Sequence, residues 1–232
     1  LSPAIMEGRD LFHRIKFHDR HMNADELAHS WDKLVIPHLS EEIISWAKKL
    51  SSKTYFLPRF IGFDSILDQQ LYIFSDASLK GYGCVIFLRS TNASREVSMN
   101  FVMSKGRIAP IIMGNDDILS NISIPRLELM GALLAAEMAA KVKEAWKLDE
   151  SFPTLYFTDS EIVLAQFSGN QIRNVFTDNR LKKIRALTTR EQWFFIAGTE
   201  NPADIVSRGG DVDSELFYKG PKSMLDPDFV PS

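Results

Sequence analysis

Four carboxylates stand where the chain changes direction. Asp76 closes the apolar run LYIFSD, Glu128 sits within PRLELMGALLAA, Asp159 closes LYFTD, and Asp204 lies in NPAD. Strand-end aspartates commonly serve as turn or cap residues, so each acid alone reads either way. As a set they suggest chemistry. If the strands before Asp76 and Asp159 are parallel neighbours, both carboxylates emerge at the carboxyl ends, where open α/β sheets place their sites. Crowded carboxylates repel and stay ionised together only when cations lie among them. Oxygen-only ligation, with no His or Cys in the set, selects a hard ion, Mg²⁺ or Mn²⁺. Two such ions about 3.5–4 Å apart can activate a water and stabilise a leaving oxygen in phosphoryl chemistry. Glu128 is the most telling member: Leu127 and Leu129 flank it, and a carboxylate in apolar company needs solvent or a partner.

The hydrophobic pattern supplies a scaffold for these acids. Residues 71–75 and 82–88 are apolar runs separated by a Lys80-Gly81-Tyr82-Gly83 turn, and over 97–104 Val97, Met99, Phe101 and Met103 alternate with their neighbours. This predicts three consecutive strands. Pro125 opens a helix running to Trp146, with Leu127, Met130, Leu134, Met138 and Val142 on one face. Residues 154–158 and 192–196 predict strands; 160–167, 175–189 and 201–207 predict helices. The order β-β-β-α-β-α-α-β-α implies an α/β fold, a mixed five-stranded sheet flanked by helices, with crossovers that bring the later strands parallel to the first.

Before this core, residues 1–67 read as a helical segment and linker. Ser40 is the expected N-cap of a helix with Glu41 and Glu42 in its first turn and Ile43, Trp46, Ala47 and Leu50 along one face. Pro58 and Gly62 mark a linker over 53–68. All five histidines (His13, His18, His21, His29 and His38) fall in this segment, scattered and without acidic or cysteine partners at a metal spacing. The core domain is expected over 68–210. Residues 211–232, with three prolines, read as a partly extended C-terminal arm leading elsewhere. The absence of a methionine at Leu1 points to a piece of something longer.

Composition narrows the class. The chain has 232 residues, 45% hydrophobic and 25% charged, which fits a globular domain with a smaller appendage. A net charge of −3 argues against a uniformly basic nucleic-acid coat. The single cysteine, Cys84, rules out a disulfide framework within the chain or a cysteine-built zinc site. No apolar run reaches the roughly 18–20 residues needed to span a bilayer, so a soluble intracellular protein without membrane contact is expected. Basic and acidic residues balance over 68–210 until the four candidate ligands are set aside, which leaves a modest positive excess. Arg173, Arg180, Lys182, Lys183, Arg185 and Arg190 face only Asp178 within 173–190. That stretch reads either as a solvated face or as a phosphate track.

YIFSDAS, SKGRIAP, IPRLELMGALLAA, FTDS and AGTENPADIVSRG, in that order, resemble the ribonuclease H domain of retrotransposon Pol polyproteins, most closely the BEL/Pao group. The opening LSP and its helices are similar to that group's connection segment after reverse transcriptase, and ELFYKGPKSML to the stretch before the integrase region. The resemblance implies a ribonuclease H-like fold and an endonuclease that cuts the RNA strand of an RNA–DNA hybrid, leaving 5′-phosphate and 3′-hydroxyl ends. It implies two divalent cations, Mg²⁺ or Mn²⁺, with Asp76 bridging both, Glu128 and Asp159 favouring the ion near the leaving group, and Asp204 holding the ion that activates water. Asp204, on a short helix after a loop, is expected to be the most mobile of the four. A reverse transcriptase domain upstream in the same polyprotein is the implied partner, and the virus-like particle of the retroelement, in the cytoplasm, the implied setting.

Two departures stand out. The loop Trp193 to Glu200 has no histidine where cellular ribonucleases H carry one, which leaves a proton-shuttling or product-release role unfilled. Ile124, Pro125 and Glu161 replace the family's minor-groove asparagines and glutamine, so other groups must read the hybrid. Ser78, Arg107, Arg126, Ser160, Arg180 and Lys183 are the candidates, each with a structural alternative as a cap or surface pair. An integrase or transposase DNA nuclease is disfavoured because here the glutamate comes second and an aspartate last. A non-catalytic connection module is disfavoured by retention of all four acids.

Overall fold

Alternation along the first strand decides where everything else packs. Leu71 and Ile73 point to one face of the sheet, Tyr72 and Phe74 to the other, and all four are buried. A strand buried on both faces must lie inside its sheet. In a computed structural model, which describes residues 5, 7–11, 14, 37–52, 65–110, 122–169, 174–210 and 213–231, it does. β1 (Ile66–Ala77), β2 (Gly81–Asn92), β3 (Val97–Ile108), β4 (Thr154–Thr158) and β5 (Trp193–Phe195) form one sheet in the order β3-β2-β1-β4-β5. β1 and β2 pair antiparallel, as do β2 and β3, whereas β4 is parallel to both β1 and β5. The expected mixed five-stranded α/β sheet is present.

One core lies between one face of the sheet and three helices. α1 (Pro37–Ser51) stands before the sheet; α2 (Ile124–Trp146) lays Leu127, Leu134, Met138 and Val142 over Ile73 and Ile86. α3 (Glu161–Ser168) and α4 (Val175–Arg185) close that layer with Phe167, Leu181 and Ile184. Trp193 stacks on Tyr156, centroids 4.6 Å apart, and meets Phe167 at 4.8 Å. The opposite face carries Tyr72, Phe74, Phe87 and Phe157, with Phe74 and Phe157 stacked at 5.1 Å. α5 (Ala203–Arg208) and α6 (Glu215–Lys219) cover it.

Several boundaries differ from the sequence expectation. β1, β2 and β3 run to 12 residues each, because polar residues continue the ladder where the apolar runs stop. Arg89, Ser90, Thr91 and Asn92 are all buried on β2. The linker expected to Asp68 gives way to β1 at Ile66; its earlier part, with Pro58 and Gly62, lies outside the described residues, as do His13, His18, His21, His29 and Arg173. α1 begins at Pro37 rather than after a Ser40 cap, with proline serving as first helical residue, and His38 is exposed on it. α4 stops at Arg185, where Ile184 O accepts the Thr188 hydroxyl and amide. No described helix is long and apolar enough to cross a membrane.

The tail is the clearest correction. Over residues 213–231 it is packed on the sheet rather than extended: Phe217 and Met224 are fully buried in the second core, and Phe217 meets Phe101 at 5.3 Å. The buried Arg89 guanidinium donates to the carbonyls of Met224 (3.0 Å) and Asp226 (2.8 Å), which ties the tail to β2. Phe217→Ala should therefore lower unfolding free energy by about 3–5 kcal/mol, as for other buried phenylalanines. Urea denaturation checks this; a change below about 0.5 kcal/mol, as at a surface position, contradicts the packed tail.

Candidate active site

The parallel pairing of β1 and β4 sets the site. Ser75 and Thr158 are partners in register, so Asp76, still paired with Gly83 of β2, and Asp159, the residue after β4, stand side by side at the carboxyl end of the parallel pair. Glu128 arrives from α2, at the start of its second turn rather than in its first. Its approach depends on Gly131, one turn on, where a Cβ would lie 3.1 Å from the Asp76 carbonyl oxygen. A side chain there would require the helix or the strand to give by a few tenths of an ångström. Carboxylate oxygens of Asp76, Glu128 and Asp159 all lie within 4.8 Å of one another.

Electrostatically this is an unstable grouping. Burial raises the Glu128 carboxyl to about 9, helped by the charges of Asp76 and Asp159, and the Ala77 amide donating to it opposes the rise only slightly. Burial likewise pushes Asp76 up, opposed by the Ser207 hydroxyl and reinforced by Asp159 and Asp204. Asp159 is raised by burial first, then by Asp204. One oxygen of Glu128, Oε2, is buried without any hydrogen-bond partner. Such an atom normally costs about 1–3 kcal/mol, more when charged. Three convergent carboxylates, one with an unpartnered buried lone pair and none joined by His or Cys, fit a hard divalent cation.

Asp204 does not join them. It sits in the first turn of α5, and its Oδ1 accepts from Nε of Arg208, one turn along. The helix that carries it is tied to the core. Ala203 and Val206 are buried, Asn201 caps the helix by accepting from the Ala203 amide at 3.1 Å, and Ser78 Oγ donates to Ser207 O at 2.8 Å. Whatever freedom Asp204 has lies in its side chain.

Two residues that sequence reading missed hold the acids in place. Ser207, wholly buried, donates to Asp76 Oδ2. Asn201, also wholly buried, donates to Ser75 O (2.9 Å) and Asp159 Oδ1 (3.4 Å), so that one amide ties β1, the end of β4 and α5 together. A signal existed for the first: Asp204, Ser207 and Arg208 are spaced i, i+3, i+4 in a predicted helix and so share a face.

The substrate candidates divide. Ser78 is buried in the β1–β2 turn, where it also accepts from the Lys80 amide (3.2 Å), and Ser160 is the N-cap of α3, accepting from the Val163 amide. Both have structural work. Arg107 and Lys183 are exposed. Arg126 and Arg180 share the Phe176 ring, their guanidinium carbons 5.0 and 3.3 Å from its centroid. Of the other basic residues near α4, Arg185 donates to Phe167 O and Arg190 to Trp193 O, so each guanidinium is partly engaged by the fold.

A family model described as the Pao retrotransposon-like RNaseH-like domain matches residues 1–160, a span that includes the three clustered acids but not Asp204. No curated protein sequence matches. Among solved structures, an N-terminal RNase H domain from Mycobacterium tuberculosis, fused to maltose-binding protein, is 13% identical, covers 62% of this chain and 94% of that chain, and has a TM-score of 0.40. The LC11 RNase H1, solved with an RNA/DNA hybrid, is 13% identical, with 60% and 93% covered and a TM-score of 0.38. The Prototype Foamy Virus protease-reverse transcriptase is 13% identical, with 75% and 27% covered and a TM-score of 0.32.

Carboxyls raised by folding bind more protons in the folded state than in the unfolded one, so stability must fall as pH rises from the ordinary value of 4.5 toward about 9 for Glu128. We expect the cation-free protein to melt at progressively lower temperature across that window and Mn²⁺ to flatten the slope. Glu128→Gln should raise cation-free stability at pH 8 by about 1–3 kcal/mol. Melting curves at several pH values, with and without Mn²⁺, measure both. A slope of opposite sign would mean the three carboxylates are not mutually repelling.

Proposed function

The chain belongs to the Pao retrotransposon-like RNaseH-like domain family, and from that membership together with its clustered carboxylates we propose that it is a ribonuclease H, hydrolysing the RNA strand of RNA–DNA hybrids during reverse transcription. One observation carries the proposal: the carboxylates of Asp76, Glu128 and Asp159 converge within 4.8 Å, with a buried Glu128 oxygen left unpartnered. No described group satisfies that oxygen, and a cation ligand set would.

The three clustered acids would hold the first divalent ion, and Asp204, added to Asp76, would complete the set for a second. All donors are carboxylate oxygens, which suits Mg²⁺ or Mn²⁺. When bound, such ions supply an acidified water and neutralise charge on the phosphodiester. The chain's own groups do the rest of the positioning. Ser207 orients Asp76, Asn201 orients Asp159, and the Ala77 amide holds Glu128. Cleavage should leave 5′-phosphate and 3′-hydroxyl ends. No histidine lies between Trp193 and Glu200 to relay a proton or eject product, so turnover should be slow.

Arg126, Arg180, Lys183 and Arg107 are the groups best placed to meet phosphates. Arg180 is held by its own hydrogen bond to Phe176 O (3.0 Å) and by the ring, which leaves a preorganised guanidinium half-exposed at the surface of α4. A reverse transcriptase domain upstream in the same polyprotein would supply most of the grip on the hybrid.

Two experiments test this. Matched labelled RNA–DNA, RNA–RNA and DNA–DNA duplexes and single-stranded RNA, incubated with Mg²⁺, Mn²⁺ or chelator, should show cation-dependent cutting of the hybrid's RNA strand alone. Asp159→Asn should abolish that cutting and leave the melting temperature unchanged or higher. DNA cutting would identify a transposase-type nuclease; no cutting, even with the upstream polymerase added, would identify a scaffold. Separately, Arg180→Ala combined with Lys183→Ala should weaken hybrid binding and reduce the slope of log affinity against log salt by about 2, one for each lost phosphate contact. An unchanged slope makes α4 plain surface.

A further inference from the structure

Among the described residues Arg208 is a cation whose charge acts on both Asp76 and Glu128, yet its bond is to the fourth acid. The guanidinium stands at the rim, with its side chain 62% exposed, bonded to Asp204, whose side chain is 37% exposed. Gly209, at φ 73°, ends α5 directly after it. The backbone carrying both residues is fixed: Asn201 caps the helix start, Val206 is buried against β2, and Ser207 is bonded at both its hydroxyl and its carbonyl. With the backbone held, it is the Asp204 side chain that must turn toward the other three acids, and its bond to Arg208 opposes that turn.

We propose that Arg208 is a positioning residue that competes with the second divalent cation for Asp204, holding the fourth carboxylate off the cluster until a cation displaces it. This rests on the reading of Asp204 as a cation ligand. Physically, the pair removes one negative charge from a site that already has three, so the cation-free protein escapes the worst of the repulsion. The second ion must then take Asp204 from an ion pair rather than from water, which weakens its binding. The i, i+4 spacing and the exposure of both partners keep the pair modest, so that exchange is possible at all.

The test is calorimetric titration of Mn²⁺ into the full chain, stripped of cations, for the native protein, Arg208→Ala, Asp204→Asn and the double variant. Arg208→Ala should tighten the weaker Mn²⁺ step by about two- to fivefold, the range an exposed ion pair can hold back, and lower the cation-free melting temperature. In the Asp204→Asn background the same change should have no effect on Mn²⁺. Arg208→Gln serves the same purpose should the shorter side chain disturb the helix. Unchanged or weaker binding in Arg208→Ala overturns the proposal. Equal tightening in both backgrounds also overturns it, since the arginine would then act only as a distant charge. If Asp204→Asn alone leaves Mn²⁺ binding intact, the assignment of Asp204 as a ligand fails instead, whatever the cleavage assays show.

Discussion

Mutual repulsion among buried carboxylates is the constraint the rest of this structure answers to. Three acids from two strands and a helix converge within 4.8 Å, in surroundings that favour their neutral forms. Left to themselves they would splay apart or take up protons. They stay together because each is mounted on an element that has its own reasons to be where it is. β1 and β4 are locked in parallel register by two-sided burial, α2 presses onto β1 through Gly131, and α5 is pinned by Asn201 and Ser207.

That rigidity has to come from somewhere, and it comes from burying the sheet on both faces. α2, α3 and α4 cover one side; α5 and the C-terminal residues cover the other. The second layer is thin and aromatic, with Phe74, Phe87, Phe101, Phe157 and Phe217 in a run of ring contacts. Without the tail, Phe87 and Met99 would lose their cover, and the face of the sheet that supports α5 would be open. The site and the far end of the chain are thus coupled through packing, although no tail residue belongs to the carboxylate cluster.

How much of this could be read from residues alone divides along a physical line. Features carried by apolar period or by a charge in an odd place were legible: the order of elements, the five strands, and Glu128 between two leucines. Features carried by polar groups in buried places were not. The strands outran their apolar cores because Arg89, Ser90, Thr91 and Asn92 are buried with them, which a hydrophobic pattern cannot anticipate. The tail looked like an arm because its apolar residues are few and scattered among acids and prolines, yet Phe217 and Met224 happen to fall where the sheet needs them. Asn201 and Ser207 are small polar residues that gain meaning only from what lies opposite. Asp204 stands outside the cluster, and its partner Arg208 was missed because a rim arginine looks like any other surface charge.

The choice of partners for the acids has its own logic. Apart from one another, the groups that hydrogen-bond Asp76, Glu128 and Asp159 among the described residues are neutral donors: a hydroxyl from Ser207, an amide from Asn201, a backbone N–H from Ala77. Neutral donors orient a carboxylate without cancelling its charge. A buried lysine or arginine among the three would have solved the repulsion outright, but it would also have filled the space and used the lone pairs. By keeping its own cation, Arg208, at the rim and on the fourth acid, the fold leaves the interior negative, oriented and open. The unpartnered Oε2 of Glu128 is the trace of that choice, a polar atom kept buried and unsatisfied in a structure that satisfies its neighbours.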